Sequence, residues 1–412
     1  MCSPDLSGRP AGPSPRLPAV PRRAYLAPIL LAVGMGVWAL LTAQHLGKSL
    51  VDPEGSFLGP SSVRLPLLLG AAMLLDLLPR TLWGSRLDPR RMPGVLRERW
   101  RTHWTRPRLL LVAIGVISFY VVYVCYRNLK SFLPFVRPDP RAEPGVVRAL
   151  SYDRELHLLD RALFFGHDPA IVLHDLLGTD YAAHLLSYIY LWFLPLVPLA
   201  VTAWVVWSRN LRFGYWFVTS QCIAWTLGTI SYYALPTLGP GLEYPFIYSD
   251  LAHTPTSSLM NSLVYARQGV LLQGVDGQVQ SVAGFASLHC GITLLVALMV
   301  QYTVRNRIMR LVFWVNFSLT VVATVYFGWH YLADDIAGIT LALLSFYLGG
   351  VASGQRFDKR SLRHAEIEAS IPTPGSVVEL DAGSGDPAAT GERHDPRDDS
   401  PEAPEQAAEP VG

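Results

Sequence analysis

Eight stretches of the chain stay apolar long enough to be read as membrane-crossing helices, at roughly Tyr25–Leu46, Val63–Pro79, Leu109–Tyr126, Leu185–Trp207, Phe213–Leu235, Ser287–Thr303, Ile308–Phe327 and Ile336–Val351. A spanning helix needs about 20 mostly apolar residues, and each run comes close to that length. The polar links between them alternate in charge. Nine arginines lie between Arg80 and Arg108, and the short links Arg209–Arg212 and Arg305–Arg310 are also basic. With the arginines before Tyr25 and the segment Arg356–Arg363, they fall on one side of an eight-span count, which the positive-inside rule makes cytoplasmic. Gly47–Ser62, Asn128–His184, Pro236–Ala286 and the turn Gly328–Asp335 then lie on the other side. The pattern predicts an all-α, polytopic membrane helix bundle of about eight transmembrane helices, held in the plasma membrane with both termini cytoplasmic.

The first run follows basic residues, as a secretory signal would. Its length and the lack of a small-x-small cleavage site make it an uncleaved anchor instead. Residues 1–24 are rich in Pro and Gly, and residues 354–412 become rich in Pro, Ala, Gly, Asp and Glu. Both ends are expected to be disordered. Between them, 25–108 reads as an N-terminal transmembrane pair with a basic cytoplasmic loop, and 109–353 as a six-helix membrane domain. Asp153–Asp168 carries Leu156, Leu159, Leu163 and Phe164 at helical spacing, the mark of an amphipathic helix on the outer surface.

Composition sharpens this picture by exclusion. Half of the residues are hydrophobic and only 16% are charged, so apolar surface exceeds what one water-facing fold would bury. The net charge of +2, without a basic stretch interleaved with aromatics, gives no footprint for nucleic acid. Cys2, Cys125, Cys222 and Cys290 are too far apart for a CxxC site and read as small buried hydrophobes.

Candidate chemistry gathers at two places on the outer boundary, where ionisable groups beside apolar spans are costly and usually functional. One is Gly284–Gly291, opening the sixth run with Ser287 and His289. The other is Tyr326–Asp335, between the seventh and eighth, with His330 and Asp334. Four residues apart on a helix, His330 and Asp334 share a face, so the carboxylate can accept the Nδ1–H and leave Nε2 with a free lone pair. The span count puts His289 on the same side. One imidazole could attack phosphorus while the other protonates the departing oxygen. A helix starting at Ala286–Ser287 would add N–H groups for a phosphate oxygen. Asp335 is read as the N-cap of the last span. No metal and no cofactor is expected, since neither His-Glu-x-x-His nor a third converging ligand is present.

Phe285-Ala-Ser-Leu-His-Cys-Gly291 and Ala323-Thr-Val-Tyr-Phe-Gly-Trp-His-Tyr-Leu-Ala-Asp334 resemble the second and third signature motifs of the type-2 phosphatidic acid phosphatase superfamily. They are most similar to its inositolphosphotransferase branch, the inositol phosphorylceramide synthase type. The resemblance runs from about Leu109 to Val351. It implies that His330 is the nucleophile forming a phosphohistidine, Asp334 its orienting partner, His289 the general acid and Ser287 a phosphate ligand. Lys130, Arg137 and Pro138 match the first motif, separated from the second by two extra spans. Phosphatase members read Pro-Ser-Gly-His in the second motif and carry Arg six residues before the nucleophile. This chain has Ala286, Leu288 and Thr324 there, so Lys130, Arg137 or Arg267 must supply the phosphate clamp. Leu235–Gly241 resembles the Pro-rich turn of the transferase branch.

The expected activity is transfer of a phosphoryl or phosphoalcohol group from a lipid phosphate, with inositol or another alcohol as acceptor and membrane lipids as surroundings. Hydrolysis of a lipid phosphate or polyprenyl pyrophosphate is the alternative. A proton-coupled transporter is weaker, because the histidines cluster at one boundary and no internal repeat is visible.

Overall fold

The computed structural model describes residues 20–52, 61–141, 150–208, 210–273, 284–355 and 357. The expected disordered ends lie almost wholly outside the described residues, as do parts of the three longer outer segments. The described residues form helices and no strand. In chain order they are α1 (Arg22–His45), α2 (Ser61–Gly84), α3 (Met92–His103), α4 (Arg106–Val136), α5 (Asp153–Leu163), α6 (Pro169–Leu177) and α7 (Tyr181–Trp207). These are followed by α8 (Leu211–Ala234), the single turn α9 (Pro240–Glu243), α10 (Pro255–Gln273), α11 (Leu288–Thr303), α12 (Arg307–Tyr326) and α13 (Leu332–Ala352).

Each of the eight apolar runs is a helix. Six of them, α1, α2 from Pro66, α4, α7, α12 and α13, are long and apolar enough to cross a membrane. The other two explain themselves. α11 is an apolar helix of 16 residues. α8 has 24 residues but buries Thr219, Ser220 and Gln221 in the bundle, so its polarity faces other helices. α8 is the central strut, packed on α4, α13, α1, α11 and α7. α11 packs against α12 and α13, and α2 stands at the edge against α3 and α7. Leu30, Leu41, Leu75, Ile117, Leu194 and Leu311 all point outward, an apolar surface that water would not tolerate over such an area. The protein is an integral membrane protein.

Two local departures from the sequence pattern bear on the site. The basic link between α2 and α4 is not a plain loop, because it contains α3. Asp76 of α2 accepts from Arg99 at 2.7 Å, Arg80 at 3.1 Å and the Trp104 indole at 3.2 Å, which pins α3 down. Beside it, Arg108 donates to Val205 O and the Ser208 carbonyl, while His103 Nε2 meets Val206 O at 2.7 Å. The other departure is at the far end of α4, which continues ten residues past Tyr126. Asn128 would be a costly polar group there. Its amide pairs with the Val51 backbone in both directions, at 2.9 and 2.8 Å, so the helix carries on. Lys130 therefore sits on a helix and not in an outer loop.

The meeting of α11 and α13 fixes where the two histidines stand. Gly291 and Gly338 face each other there, and a Cβ at Gly338 would overlap the Ser287 carbonyl. Absence of side chains lets the two backbones close up, bringing the start of α11 beside the start of α13.

Candidate active site

His330 lies in the short link between α12 and α13, shaped by a turn at Phe327–Gly328. The Trp329 and His330 N–H groups both point back to Thr324 O, at 2.9 and 3.4 Å. His330 Nδ1 is 3.2 Å from Asp334 Oδ2, so the tautomer protonated at Nδ1 donates to that carboxylate. The Tyr331 N–H donates to the same oxygen at 3.1 Å, which makes Asp334 both the partner of His330 and a cap for α13. Asp334 Oδ1 is buried and has no hydrogen-bond partner among the described residues. Burial pushes the His330 imidazole down to about 4, which keeps Nε2 unprotonated at neutral pH.

His289 occupies the first turn of α11. Its ring stacks on Tyr190 of α7 at 4.4 Å and 11°, with Phe193 at 4.0 Å. Trp329 stacks on Tyr190 as well, at 5.1 Å and 16°. The His289 and His330 ring centroids are 6.3 Å apart. At that separation both rings can reach a single phosphoryl group.

The two imidazoles border a cavity of about 650 Å³. Its polar end holds His289, His330, Trp329 and Lys130. The remainder runs among Val116 and Phe119 of α4, Phe193, Val197 and Val201 of α7, Trp225 of α8 and Leu68 of α2. From Lys130 to Val116 is about 21 Å along α4, given the 1.5 Å rise per residue.

Of the basic residues expected near phosphate, the structure brings one directly to this cavity. The Lys130 ammonium lies over the Tyr232 ring at 4.9 Å and donates to Tyr126 Oη at 3.3 Å. Arg137 is spent elsewhere, donating to Tyr233 O at 2.7 Å. Arg267 sits on α10, one turn beyond Leu263, which lines the cavity. Burial pulls its guanidinium below the usual arginine range and Asp153 opposes that pull. Arg127 also reaches the cavity, where it donates to Tyr123 Oη at 2.9 Å. Ser287 is the N-cap of α11: its hydroxyl accepts from Cys290 N at 3.4 Å, and its own N–H donates to Asp334 O at 2.9 Å. It is not among the residues lining the cavity.

Asp335 is not the N-cap of the last span; Tyr331 is. Asp335 instead accepts from the Cys290 thiol and the Thr324 hydroxyl, each at 2.8 Å, bracing α13 against α11 and α12. Thr324, six residues before His330, is thus part of the frame.

The amphipathic helix is present as α5, and its buried residues include two acids. Asp153, Leu156 and Asp160 are buried, while Leu159 and Leu163 are about half exposed. Asp153 accepts from Leu238 N and Gly239 N at 2.8 and 2.9 Å and from Tyr331 Oη at 3.1 Å. Asp160 accepts from Leu332 N at 2.8 Å and Ala333 N at 3.2 Å. Burial pushes the Asp160 carboxyl up to about 6, against the pull of those two N–H groups. The sequence hinted at this only through the seven-residue spacing of Asp153 and Asp160, which places two acids on one helix face. Acids so placed ordinarily face solvent.

Residues 154–348 match the family model of the PAP2 superfamily. No curated protein and no solved structure matches the chain. The matched segment contains His289, His330 and Asp334. That match supports a phosphatase or phosphotransferase enzyme acting on lipid phosphates.

Proposed function

We propose, with the PAP2-superfamily match over residues 154–348 as premise, that the protein is a membrane phosphotransferase of the inositolphosphotransferase type working through a phosphohistidine. The observation that carries this reading is the opposed pair of imidazoles, 6.3 Å between centroids, at the polar end of a largely apolar cavity. Nε2 of His330 attacks phosphorus, the bond from phosphorus to the leaving oxygen breaks, and His289 gives that oxygen its proton. In the second step an alcohol oxygen attacks phosphorus, the P–N bond breaks, and His289 takes the alcohol's proton back. Asp334 holds the His330 tautomer and favours its positive charge once phosphorylated. Lys130 is the cation best placed to meet the phosphate, with Arg267 one helical turn away from the cavity wall. The apolar walls of α4, α7 and α2 are suited to a lipid chain. Inositol or another alcohol fits the acceptor role, and water in its place gives a lipid phosphate or polyprenyl pyrophosphate phosphatase.

The test is turnover of labelled phospholipids and polyprenyl phosphates by detergent-purified protein, with and without inositol. A labelled inositol phosphate ester is the expected product; free phosphate or phosphoalcohol regardless of acceptor would make the enzyme a hydrolase. Activity is expected to survive EDTA, because the two histidines supply nucleophile and acid, and to be inhibited by vanadate as a mimic of five-coordinate phosphorus. Loss in EDTA with recovery on adding a divalent ion would count against this chemistry.

The same reading places the histidine end outside the cytoplasm, with eight spans, both termini cytoplasmic and the plasma membrane as the site of action. Arg108 at one end of α4 and Lys130 near the other are about 33 Å apart along the helix, close to the thickness of a hydrocarbon core. The arginine-rich end with α3 then faces the cytoplasm. Single cysteines placed in residues 244–254 are expected to label from outside intact cells; labelling there only after permeabilisation would reverse the orientation.

A further inference from the structure

We propose that Asp153 and Asp160 of α5 are positioning residues for the reaction, holding the His330 link and the Leu235–Gly241 turn in register. The proposal rests on the reading of His330 as the nucleophile. It starts from a shortage of partners at the beginning of α13. The first N–H groups of a helix have no acceptor within it, and at this N-terminus they lie under the catalytic link, away from water. Asp334 satisfies one of them, that of Tyr331. The next two, those of Leu332 and Ala333, are satisfied by Asp160, a residue 172 positions earlier in the chain. Asp160 thus caps α13 from outside.

Asp153, two turns before Asp160 on the same face of α5, does the complementary work. It binds the Tyr331 hydroxyl and, through both oxygens, the N–H groups of Leu238 and Gly239. That turn in its own right lies on the His330 link. The Gly241 N–H donates to Gly328 O at 2.7 Å, and Gly239, at φ +98°, passes so close that a Cβ there would be 2.7 Å from Trp329 O. The Tyr152 N–H donates to Pro236 O at 2.9 Å and closes the frame. Residues 328–333 are therefore gripped from two sides by one short surface helix, and both grips are buried carboxylates, 1% and 4% exposed. A buried carboxylate is costly, and apart from the Ser151 hydroxyl, which donates to Asp153, these two accept from the backbone around His330 and from Tyr331. Neither lines the cavity, so neither is assigned a role in the bond-making steps.

The consequence is kinetic. Loosening the link should misplace His330 relative to phosphorus without removing the residues that hold the lipid, and misplacement on the order of 1 Å can cost about a hundredfold. Full-length protein in detergent is compared as wild type, Asp160→Ala, Asp160→Asn, Asp153→Asn and Tyr331→Phe, with the exposed Glu155→Gln as a control on the same helix. Turnover is followed with phosphatidic acid in mixed micelles and with para-nitrophenyl phosphate, each with and without inositol, and amide hydrogen exchange is followed by mass spectrometry.

For Asp160→Ala, kcat is expected to fall about ten- to a hundredfold with KM within about twofold. Asp160→Asn should recover part of the loss, and Tyr331→Phe should show a smaller loss. Exchange at Leu332 and Ala333 should quicken roughly tenfold in Asp160→Ala while peptides from α8 stay unchanged. Unchanged exchange at Leu332 and Ala333 overturns the proposal, as does faster exchange across α8 and α13 together, which would make these acids merely structural. If wild type turns over neither probe, the catalytic reading fails and the exchange result alone decides whether α5 grips the link. Should Asp160→Ala fail to fold, Asp153→Asn and Tyr331→Phe carry the same comparison at Tyr331.

Discussion

Turnover by the His330→Ala protein is expected to fall to the uncatalysed background, a loss on the order of 10⁶ in kcat if the enzyme behaves as other covalent catalysts stripped of their nucleophile. The size follows from the absence of a substitute. His289 is the other imidazole at the cavity, but it is packed between Tyr190 and Phe193 and, among the described residues, has no carboxylate partner like Asp334. Lys130 is within the same cavity, yet its ammonium is held over the Tyr232 face and carries no lone pair while charged. The measurement is covalent labelling by a phosphate-labelled substrate, quenched without acid because a phosphoramidate bond is acid-labile, alongside steady-state rates. Wild type should trap label and His330→Ala should not. Asp334→Asn should be intermediate, since an amide oxygen can still accept from Nδ1 or from the Tyr331 N–H but brings no negative charge to a phosphorylated ring. Labelled His330→Ala protein would remove His330 from the role proposed for it.

The part of this site that was readable in the sequence is the part that is local in the chain. The His330–Asp334 pair forms at 3.2 Å, but not on a shared helix face: His330 lies in the link before α13, and Asp334, in the first turn of α13, reaches back to it and to the Tyr331 N–H. The eight apolar runs were equally plain, and each is a helix, because packing against other helices and facing lipid both call for apolar residues. What stayed hidden depends on which distant helix comes alongside. Tyr190 and Phe193 flank His289 from α7, about a hundred residues earlier, and nothing in their own surroundings distinguishes them from other aromatic residues of that run. Asp335 looked like a cap, and packing turned it into a brace between Cys290 and Thr324. α5 was found as an amphipathic helix, but the burial of its two acids was not foreseen. Leu159 and Leu163 half exposed and carboxylates buried on backbone N–H groups invert the usual pattern, and only the position of α13 reveals it. The end of α4 was placed too early for a related reason, since Asn128 is satisfied by Val51 from a segment far away in sequence.

Removal of His289 should produce a different defect from removal of His330, and the difference depends on the leaving group. With a lipid substrate the departing oxygen is a poor leaving group and must be protonated as it leaves, so His289→Ala is expected to lower kcat by about 10²–10⁴-fold. With para-nitrophenyl phosphate the departing phenolate needs no proton, and the first step should be nearly as fast in the variant as in wild type. The second step then exposes the residue's other duty. In the proposed mechanism His289 takes the proton from the attacking alcohol or water; in His289→Ala no other imidazole among the described residues stacks against Tyr190. Phosphohistidine should therefore accumulate, with an early burst of nitrophenolate followed by slow turnover. The substituted alanine also leaves space beside Tyr190 and Phe193, so exogenous imidazole is expected to restore part of the second step. An equal loss on lipid and aryl substrates, with no burst and no trapped label, would mean that His289 serves the phosphate or the fold, and the proton donor would have to be sought elsewhere along the cavity.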